Sequence, residues 1–444
     1  MDDNIAKARS RFWQIVNRPE AAALAIVVAI IWAYRAIWIE RPLDIIRLDF
    51  SCYYTWAIAA RRHINAYQND LTLLGLHNGA IIGPVTRSNY PPTFLLLSEP
   101  LSHFAPTNAH WIWIIMSVAL LIAATVILLA DDLPPYLIAI AVSLSFLYSP
   151  TYVHFEFGQA QILIMFLLIL VLRELERDRE ITAGLILAFA GLLKGYPLFM
   201  ALYFLCDHRW RALAAMAVAV MFGFMLTVVI LGPWSLGFFA RLPRAITAGA
   251  GVPMLPIVSI AGTIWRWFGY FVSPANAKSR FALLIHFIAT ALDLCIFGWV
   301  VIVTLRLRAR GIDPRSAFGL LIPTMVLLIP GAWPHYMVLL LIPFGQLAIA
   351  AYRGEAPRLA IAFGIAAFVV AELAYSGGFV IFDAGHPVLG NVVMEGLFVS
   401  TILSWGAAYV LAADLLSRRA SPGVRDRSAA PRQAQPQPYA AETR

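Results

Sequence analysis

Apolar runs of about 20 residues, long enough to span a ~30 Å hydrocarbon core, recur along this chain from residue 21 to residue 415. They leave no stretch free for a separate soluble domain, so any active site must lie in the connecting loops or inside a helical bundle. Backbone amides in lipid must be satisfied internally, which makes the runs helices. Of the 444 residues, 61% are hydrophobic and only 13% charged, too little charge to clothe a soluble fold of this size. The fold class is therefore an all-α polytopic membrane protein.

Long spans are expected at 21–39, 108–130, 134–148, 157–172, 210–231, 281–305, 316–329, 334–351, 357–375 and 391–415. A further apolar segment, 181–206, is interrupted by Lys194-Gly195-Tyr196-Pro197. One set of short loops is rich in arginine: Arg173, Arg177 and Arg179; Arg209 and Arg211; Arg306, Arg308, Arg310 and Arg315; Arg353 and Arg358; Arg418 and Arg419. The opposite loops, 105–107, 149–156, 330–333 and 376–390, contain no Lys or Arg. The positive-inside rule puts the first set, with both termini, in the cytoplasm. The net charge of +8 thus bears on orientation and not on nucleic acid.

The alternation holds only if 181–206 crosses twice or not at all, as a re-entrant hairpin or a pair of short helices. Gly195 would end one helix and Pro197 begin the next. About 10–12 transmembrane helices result. The first run follows Lys7, Arg9, Arg11 and Arg18 without a small-x-small cleavage site, so it reads as an uncleaved anchor. The organisation expected is a cytoplasmic N-terminus at 1–20, a membrane domain at 21–415 and a disordered cytoplasmic tail at 416–444. Long outer loops occupy 40–107 and 232–280. In the first, Phe50, Tyr53, Tyr54, Ala57 and Ile58 share one helical face, the pattern of an interfacial amphipathic helix. Segments 91–104 and 256–271 are apolar but too short or irregular to span.

Several residues could carry chemistry. Asp49 stands at the mouth of the first outer loop, where a carboxylate could take the proton of an attacking hydroxyl; it would equally suit the helix N-cap. Lys194 is an intramembrane cation suited to a phosphate, or else closes its helix against the dipole. His335, in Trp333-Pro334-His335-Tyr336, could donate to a leaving phosphate or a sugar, or sit among belt aromatics. Tyr90-Pro91-Pro92 stiffens the first outer loop. Glu156, Gln159 and Gln161 could bond sugar hydroxyls, or pack between helices. Arg47, Arg87 and Arg266 are outer cations that would suit phosphate or lipid headgroups. Of the three cysteines, Cys52, Cys206 and Cys295, only Cys52 lies outside, so no outer disulfide is implied. No Cys/His cluster has metal spacing and no Asp-x-Asp pair demands a divalent ion. There is no Walker or Gly-rich nucleotide fingerprint, so no cofactor is indicated and an activated donor would have to reside in the membrane.

The ordered set Asp49-Phe50 with Tyr53-Tyr54, Tyr90-Pro91-Pro92, Glu99-Pro100-Leu101, Gly158-Gln159, Leu193-Lys194-Gly195-Tyr196-Pro197 and Trp333-Pro334-His335-Tyr336 resembles the polyprenol-phosphate-mannose-dependent alpha-mannosyltransferases of glycosyltransferase family 87, in the GT-C superfamily. The resemblance implies a GT-C-like bundle with its site on the periplasmic face of a bacterial inner (plasma) membrane. It implies Asp49 as general base, Lys194 and His335 on the donor phosphate, and inversion at the anomeric centre. Tyr53, Tyr90, Glu156, Gln159 and Trp333 would line the substrates. The partners would be a polyprenyl-phosphate sugar donor, a glycan or glycolipid acceptor and membrane lipid, with no nucleic acid. Where the family often carries two adjacent histidines, this chain has His335-Tyr336; where it often has Asn-Gln-Ser, this chain has Ile257-Val258-Ser259. A transporter or flippase for a lipid-linked or anionic solute is the alternative, since it too would use a broken helix and an intramembrane cation.

Overall fold

The computed structural model of the chain describes residues 18–34, 48–80, 88–240, 257–268, 280–383 and 387–420. Asp44, Arg47, Arg87, the cations Lys7, Arg9 and Arg11, and the tail from 421 lie outside the described residues. Every regular element among the described residues is a helix, as a chain that must satisfy its amides within lipid requires.

Helix α1 is Pro19–Tyr34. The first outer loop contributes α2 (Leu48–Arg61), α3 (Thr72–His77) and α4 (Pro92–Ser98), the last running into a 3-10 turn at Glu99–His103. Then come α5 (Pro106–Leu129), α6 (Pro135–Leu147), α7 (Ser149–Phe157), α8 (Gln161–Glu176) and α9 (Glu180–Leu193). A 3-10 segment at Tyr196–Met200 leads into α10 (Ala201–Cys206), followed by α11 (Trp210–Leu231) and α12 (Ile260–Phe268). The last third holds α13 (Arg280–Ala309), α14 (Pro314–Leu328), a 3-10 segment Pro334–Leu340 continuing as α15 (Leu341–Tyr352), α16 (Arg358–Asp383), α17 (Pro387–Met394) and α18 (Gly396–Ala420). Proline starts α4, α5, α6 and α14, where its missing N–H costs no intrahelical bond. Asp313 completes the start of α14 by accepting from the Arg315 amide at 2.8 Å.

Among the described residues, six helical stretches are long and apolar enough to cross a membrane: 106–129, 210–231, 280–309, 334–352, 358–378 and 392–418. The pair α6 and α7, bent by 59°, would make a seventh, and α1, α9, 196–206 and α14 are shorter apolar helices. The protein is an all-α polytopic membrane protein.

The arginine-rich loops converge at one end of the bundle. Arg173 pairs with Asp131 at 3.2 Å and Glu176 at 2.8 Å. Arg315 pairs with Glu176 and Asp132, and Arg353 also reaches Asp132. Arg209 joins Asp178 at 2.9 Å, Glu180 at 3.2 Å and Asp207 at 2.7 Å, and Arg308 approaches Asp207 at 3.5 Å. Five loops that the positive-inside pattern groups together are thus laced into one belt.

The same belt fixes the shape of 181–206. Arg209 bonds residues just before α9 and just after α10, so the segment leaves the belt and returns to it as a hairpin. Its first leg, 14 residues, rises about 21 Å. That is short of a ~30 Å hydrocarbon core, so this leg alone is too short to span it. Gly195 has φ −55° and ψ −32°, ordinary right-handed backbone. The chain therefore turns through the extended Lys194 (φ −147°, ψ 118°), without the left-handed glycine cap that the sequence suggests.

Two outer segments also differ from a simple reading. Helix α2 forms where expected, but Ser51, Thr55, Trp56, Ala59 and Ala60 are buried together with Phe50, Tyr53, Tyr54, Ala57 and Ile58. A helix apolar or small on every side is roofed. Here α4, the 99–103 turn, α5 and α7 cover it. Residues 149–156, read as a loop, form helix α7, because Glu372 of α16 accepts from both the amide and the hydroxyl of Ser149, each at 2.6 Å. A carboxylate at a helix N-terminus satisfies free amides and meets the positive end of the dipole.

Candidate active site

Asp49 lies in the first turn of α2, one residue inside the helix and not at its cap. The helix is held from above by Tyr54, whose hydroxyl donates to the Phe104 carbonyl at 2.9 Å, and by Arg61, which donates to the Ser102 carbonyl at 2.7 Å. Its start is wedged against the α7–α8 junction. There Gly158 ends α7 in the left-handed region (φ 64°, ψ 42°). The Gly158 and Gln159 amides fold back onto the Phe155 and His154 carbonyls, at 3.3 and 3.0 Å, which is the Schellman arrangement. A Cβ at Gly158 would stand 2.7 Å from the Phe50 Cβ. This close approach sets Gln159 and Gln161 beside the aspartate.

Gln159 is the hub. Its Nε2 donates to Asp49 Oδ2. Its Oε1 accepts from the Tyr53 hydroxyl at 2.9 Å, the Tyr90 hydroxyl at 3.3 Å and Lys194 Nζ at 3.3 Å. Lys194 also donates to Gln161 Oε1 at 2.9 Å, and its ammonium stands 4.8 Å from the Tyr90 ring and 4.9 Å from the Tyr336 ring. Such a cation between π-faces is stabilised while remaining desolvated. Among the described residues no direct ion pair joins Asp49 to Lys194; the Gln159 amide stands between them. Burial raises the Asp49 carboxyl above the usual carboxylate range, and the Gln159 hydrogen bond and the Lys194 charge pull it partly back.

His335 is buried at the start of the 334–340 turn, with Nδ1 lacking a hydrogen-bond partner. Its ring lies 5.0 Å from Tyr336 and 6.3 Å from Phe157, so it borders the lysine site through Tyr336. The turn is braced by the second outer loop: the Val258 amide donates to the Ala332 carbonyl at 2.7 Å and the Ser259 hydroxyl to the Pro330 carbonyl at 3.0 Å. Ser259, the residue kept from the Asn-Gln-Ser pattern, is thus a brace. Arg266, read as an outer cation for phosphate or headgroups, is instead bonded through two nitrogens to Glu395 and is buried.

The structure therefore gathers Asp49, Tyr53, Tyr90, Gln159 and Lys194 into one hydrogen-bonded cluster, with His335 at its edge. Glu156 and Trp333 are placed differently. Glu156 accepts from the Tyr375 hydroxyl at 2.8 Å, and Trp333 is the half-buried residue that begins the 334–340 turn. Sequence reasoning grouped Gln161 with possible sugar contacts, whereas its carbonyl grips Lys194 and its Nε2 is buried without a partner. Tyr336 and Tyr196 were visible only as parts of motifs.

Beside the cluster opens a cavity of about 720 Å³, lined among others by Tyr90, Lys194, Tyr196, Phe199, Phe224 and Tyr336. Most of its wall is apolar. One side is α11, most of whose surface is exposed, so the cavity borders the lipid-facing flank of the bundle. A cation at the inner end of an apolar groove suits an amphiphile with an anionic head.

Fold and site together define a polytopic membrane protein in which one amide links a carboxylate to an ammonium that lines an apolar groove. Residues 89–330, more than half of the chain, match the model of glycosyltransferase family 87, and the chain belongs to that family. It is a membrane glycosyltransferase, and its many-helix architecture is consistent with the GT-C superfamily. The matched span contains Tyr90, Glu156, Gln159 and Lys194, while Asp49 and His335 lie outside it. Neither the curated proteins nor the solved structures give a match. Nothing found supports the transporter alternative.

Proposed function

We propose that the enzyme transfers a hexose, mannose by resemblance, from a polyprenyl-phosphate donor to a hydroxyl of a glycan or glycolipid acceptor. The reaction takes place on the periplasmic face of a bacterial inner membrane. The observation that carries this reading is that one amide, Gln159, bridges Asp49 to Lys194, and that Lys194 lines an apolar cavity. The prenyl chain lies in the groove and its phosphate rests against Lys194, with His335 Nδ1, Gln161 Nε2 and the Tyr196 hydroxyl as further polar atoms that lack protein partners.

Asp49 takes the proton of the acceptor hydroxyl as its oxygen attacks C1 of the sugar. The bond from C1 to the phosphate oxygen breaks, the anomeric centre inverts, and polyprenyl phosphate leaves with the bond's electron pair. Lys194 and His335 stabilise the charge that develops on that oxygen. General-base assistance contributes roughly 10²–10⁴-fold, and charge stabilisation in a dry pocket is the larger share. Tyr53 and Tyr90 hold the hub, and Tyr90 also lines the groove. The arginine belt lies at the opposite end, and by the positive-inside rule this supports a site on the outer face.

The test uses membranes carrying wild type or Asp49→Asn, supplied with labelled polyprenyl-phosphate mannose and an acceptor extract. Transfer should vanish in the variant. Undiminished transfer would end the reading, and label crossing the membrane without a new glycosidic bond would replace it with transport.

A further inference from the structure

We infer that Gln159 is a positioning residue that acts as a neutral spacer. Its amide keeps the base and the phosphate-binding cation of the same site apart and turns each toward its own substrate. This rests on the reading of Asp49 as the base and Lys194 as the phosphate ligand, and it reassigns Gln159 from substrate contact to internal scaffold.

The amide can sit only one way round. An ammonium has donors and no acceptor, so the Gln159 atom that faces Lys194 Nζ at 3.3 Å must be the carbonyl oxygen. The amide nitrogen must then face Asp49, and an ionised carboxylate can only accept. The two charges thus orient the amide, and the amide holds the two charges. Tyr53 and Tyr90 are bonded to each other at 2.5 Å, so one of their two hydroxyl protons serves that bond and the other is donated to Oε1. Lys194 and that one hydroxyl fill the two lone pairs of the carbonyl oxygen, which leaves none for a sugar hydroxyl.

A direct Asp49–Lys194 ion pair would lower the basicity of the carboxylate and use up the charge meant for phosphate. The spacer avoids both losses. It occupies one oxygen of Asp49 and leaves Oδ1 for the acceptor hydroxyl. It also leaves Lys194, held by Gln161 and the two tyrosine rings, facing the cavity. Among the described residues, the ionisable groups around Asp49 are Cys52 and Tyr53 on its own helix, Tyr90 from the first outer loop, Lys194 from the hairpin and Tyr336 from the 334–340 turn. His110 of α5 stacks on the adjoining Phe50 at 5.0 Å. Lys194 is the only cation among those groups, so a change in the spacer acts mainly on this one pair.

Gln159→Glu keeps the shape and the acceptor for Lys194, Tyr53 and Tyr90, but it removes the donor to Asp49 and inserts a like charge beside it. The purified full-length enzyme should show an acid limb of kcat moved toward alkaline pH by about one unit or more. KM for the polyprenyl-phosphate sugar should rise several-fold, because Lys194 is now paired. Gln159→Asn, one methylene shorter, cannot reach both partners; kcat should fall about 10²-fold with the acid limb less displaced than in the Glu variant. A purely structural role would lower the amplitude of both variants and leave the midpoint of the acid limb in place, and that result would overturn the inference. If Asp49→Asn abolishes transfer while the Gln159→Glu limb does not move, only the spacer falls. If Asp49→Asn retains transfer, the functional reading falls with it. Should Gln159→Glu not survive purification, the Asn variant alone decides: an unchanged kcat refutes the spacer.

Discussion

Gly158→Ala offers a test of the junction on which the site is built. Two carbons in contact normally stand about 3.5–4.0 Å apart, whereas the new methyl would lie 2.7 Å from the Phe50 Cβ and 3.6 Å from its Cα. The start of α2 must therefore back away by about 1 Å. The obstacle is at the root of a side chain next to the main chain, so no rotamer change relieves it. A left-handed alanine costs roughly 1–2 kcal/mol, and overpacking adds about 1–3 kcal/mol. We expect a loss of about 2–5 kcal/mol in total. Asp49 neighbours the displaced Phe50, and a shift of about 1 Å at a reacting group reduces kcat roughly 10²-fold. Detergent-solubilised enzyme should show both a lowered thermal midpoint and a kcat defect at saturating donor. Gly195→Ala is the control, since no atom lies within 4 Å of a Cβ there and the backbone is right-handed; its thermal midpoint should match wild type. If Gly158→Ala kept full kcat and midpoint, the wedge between α2 and the α7–α8 junction would not set the site.

Three further outcomes follow from the same structure. Asp49 is raised by burial, so the folded state prefers it protonated; its ionisation costs stability above the ordinary carboxylate range, and that cost disappears as pH falls through the raised value. Asp49→Asn should therefore unfold at a higher temperature than wild type at neutral pH, with the gap closing in acid, although it has no transfer activity. Lys194→Met should lower kcat by about 10²–10³-fold with the fold intact by size-exclusion profile, and an undiminished kcat would exclude the lysine from the leaving-group side. Asp293 sits midway along α13 with a buried Oδ1 that has no hydrogen-bond partner; Asp293→Leu should raise the thermal midpoint, by an amount on the order of 2–3 kcal/mol, and a lowered midpoint would reveal a hidden partner.

The all-helical, many-span class was legible because it depends on local composition. Helix α11 spans Trp210–Leu231, the range that the apolar run alone delimits. The hairpin at 181–206 follows from loop charge and one interruption. The site was legible only in part, because its bonds join residues far apart in sequence. Asp49 and Gln159 are 110 residues apart, and Ser149 and Glu372 are 223 apart. No periodicity reports such meetings. Gln159 looked like a sugar contact because a polar residue at a helix mouth is all that the sequence displays; its role depends on what faces each end of its amide. Helix α7 was missed for the same reason: the carboxylate that starts it comes from a distant span. Gly195 was expected to end its helix and Pro197 to begin the next; the helix ends at Leu193, the chain turns through the extended Lys194, and Pro197 does stand in the first turn of the segment that follows.

The arginine belt has a consequence for how the molecule can move. Five connections are bolted together by multidentate guanidinium contacts, and Asp132, at their centre, is almost fully enclosed. Relative motion of these five connections is therefore most restrained at this end of the bundle, and the hairpin that carries Lys194 is anchored there by both of its legs.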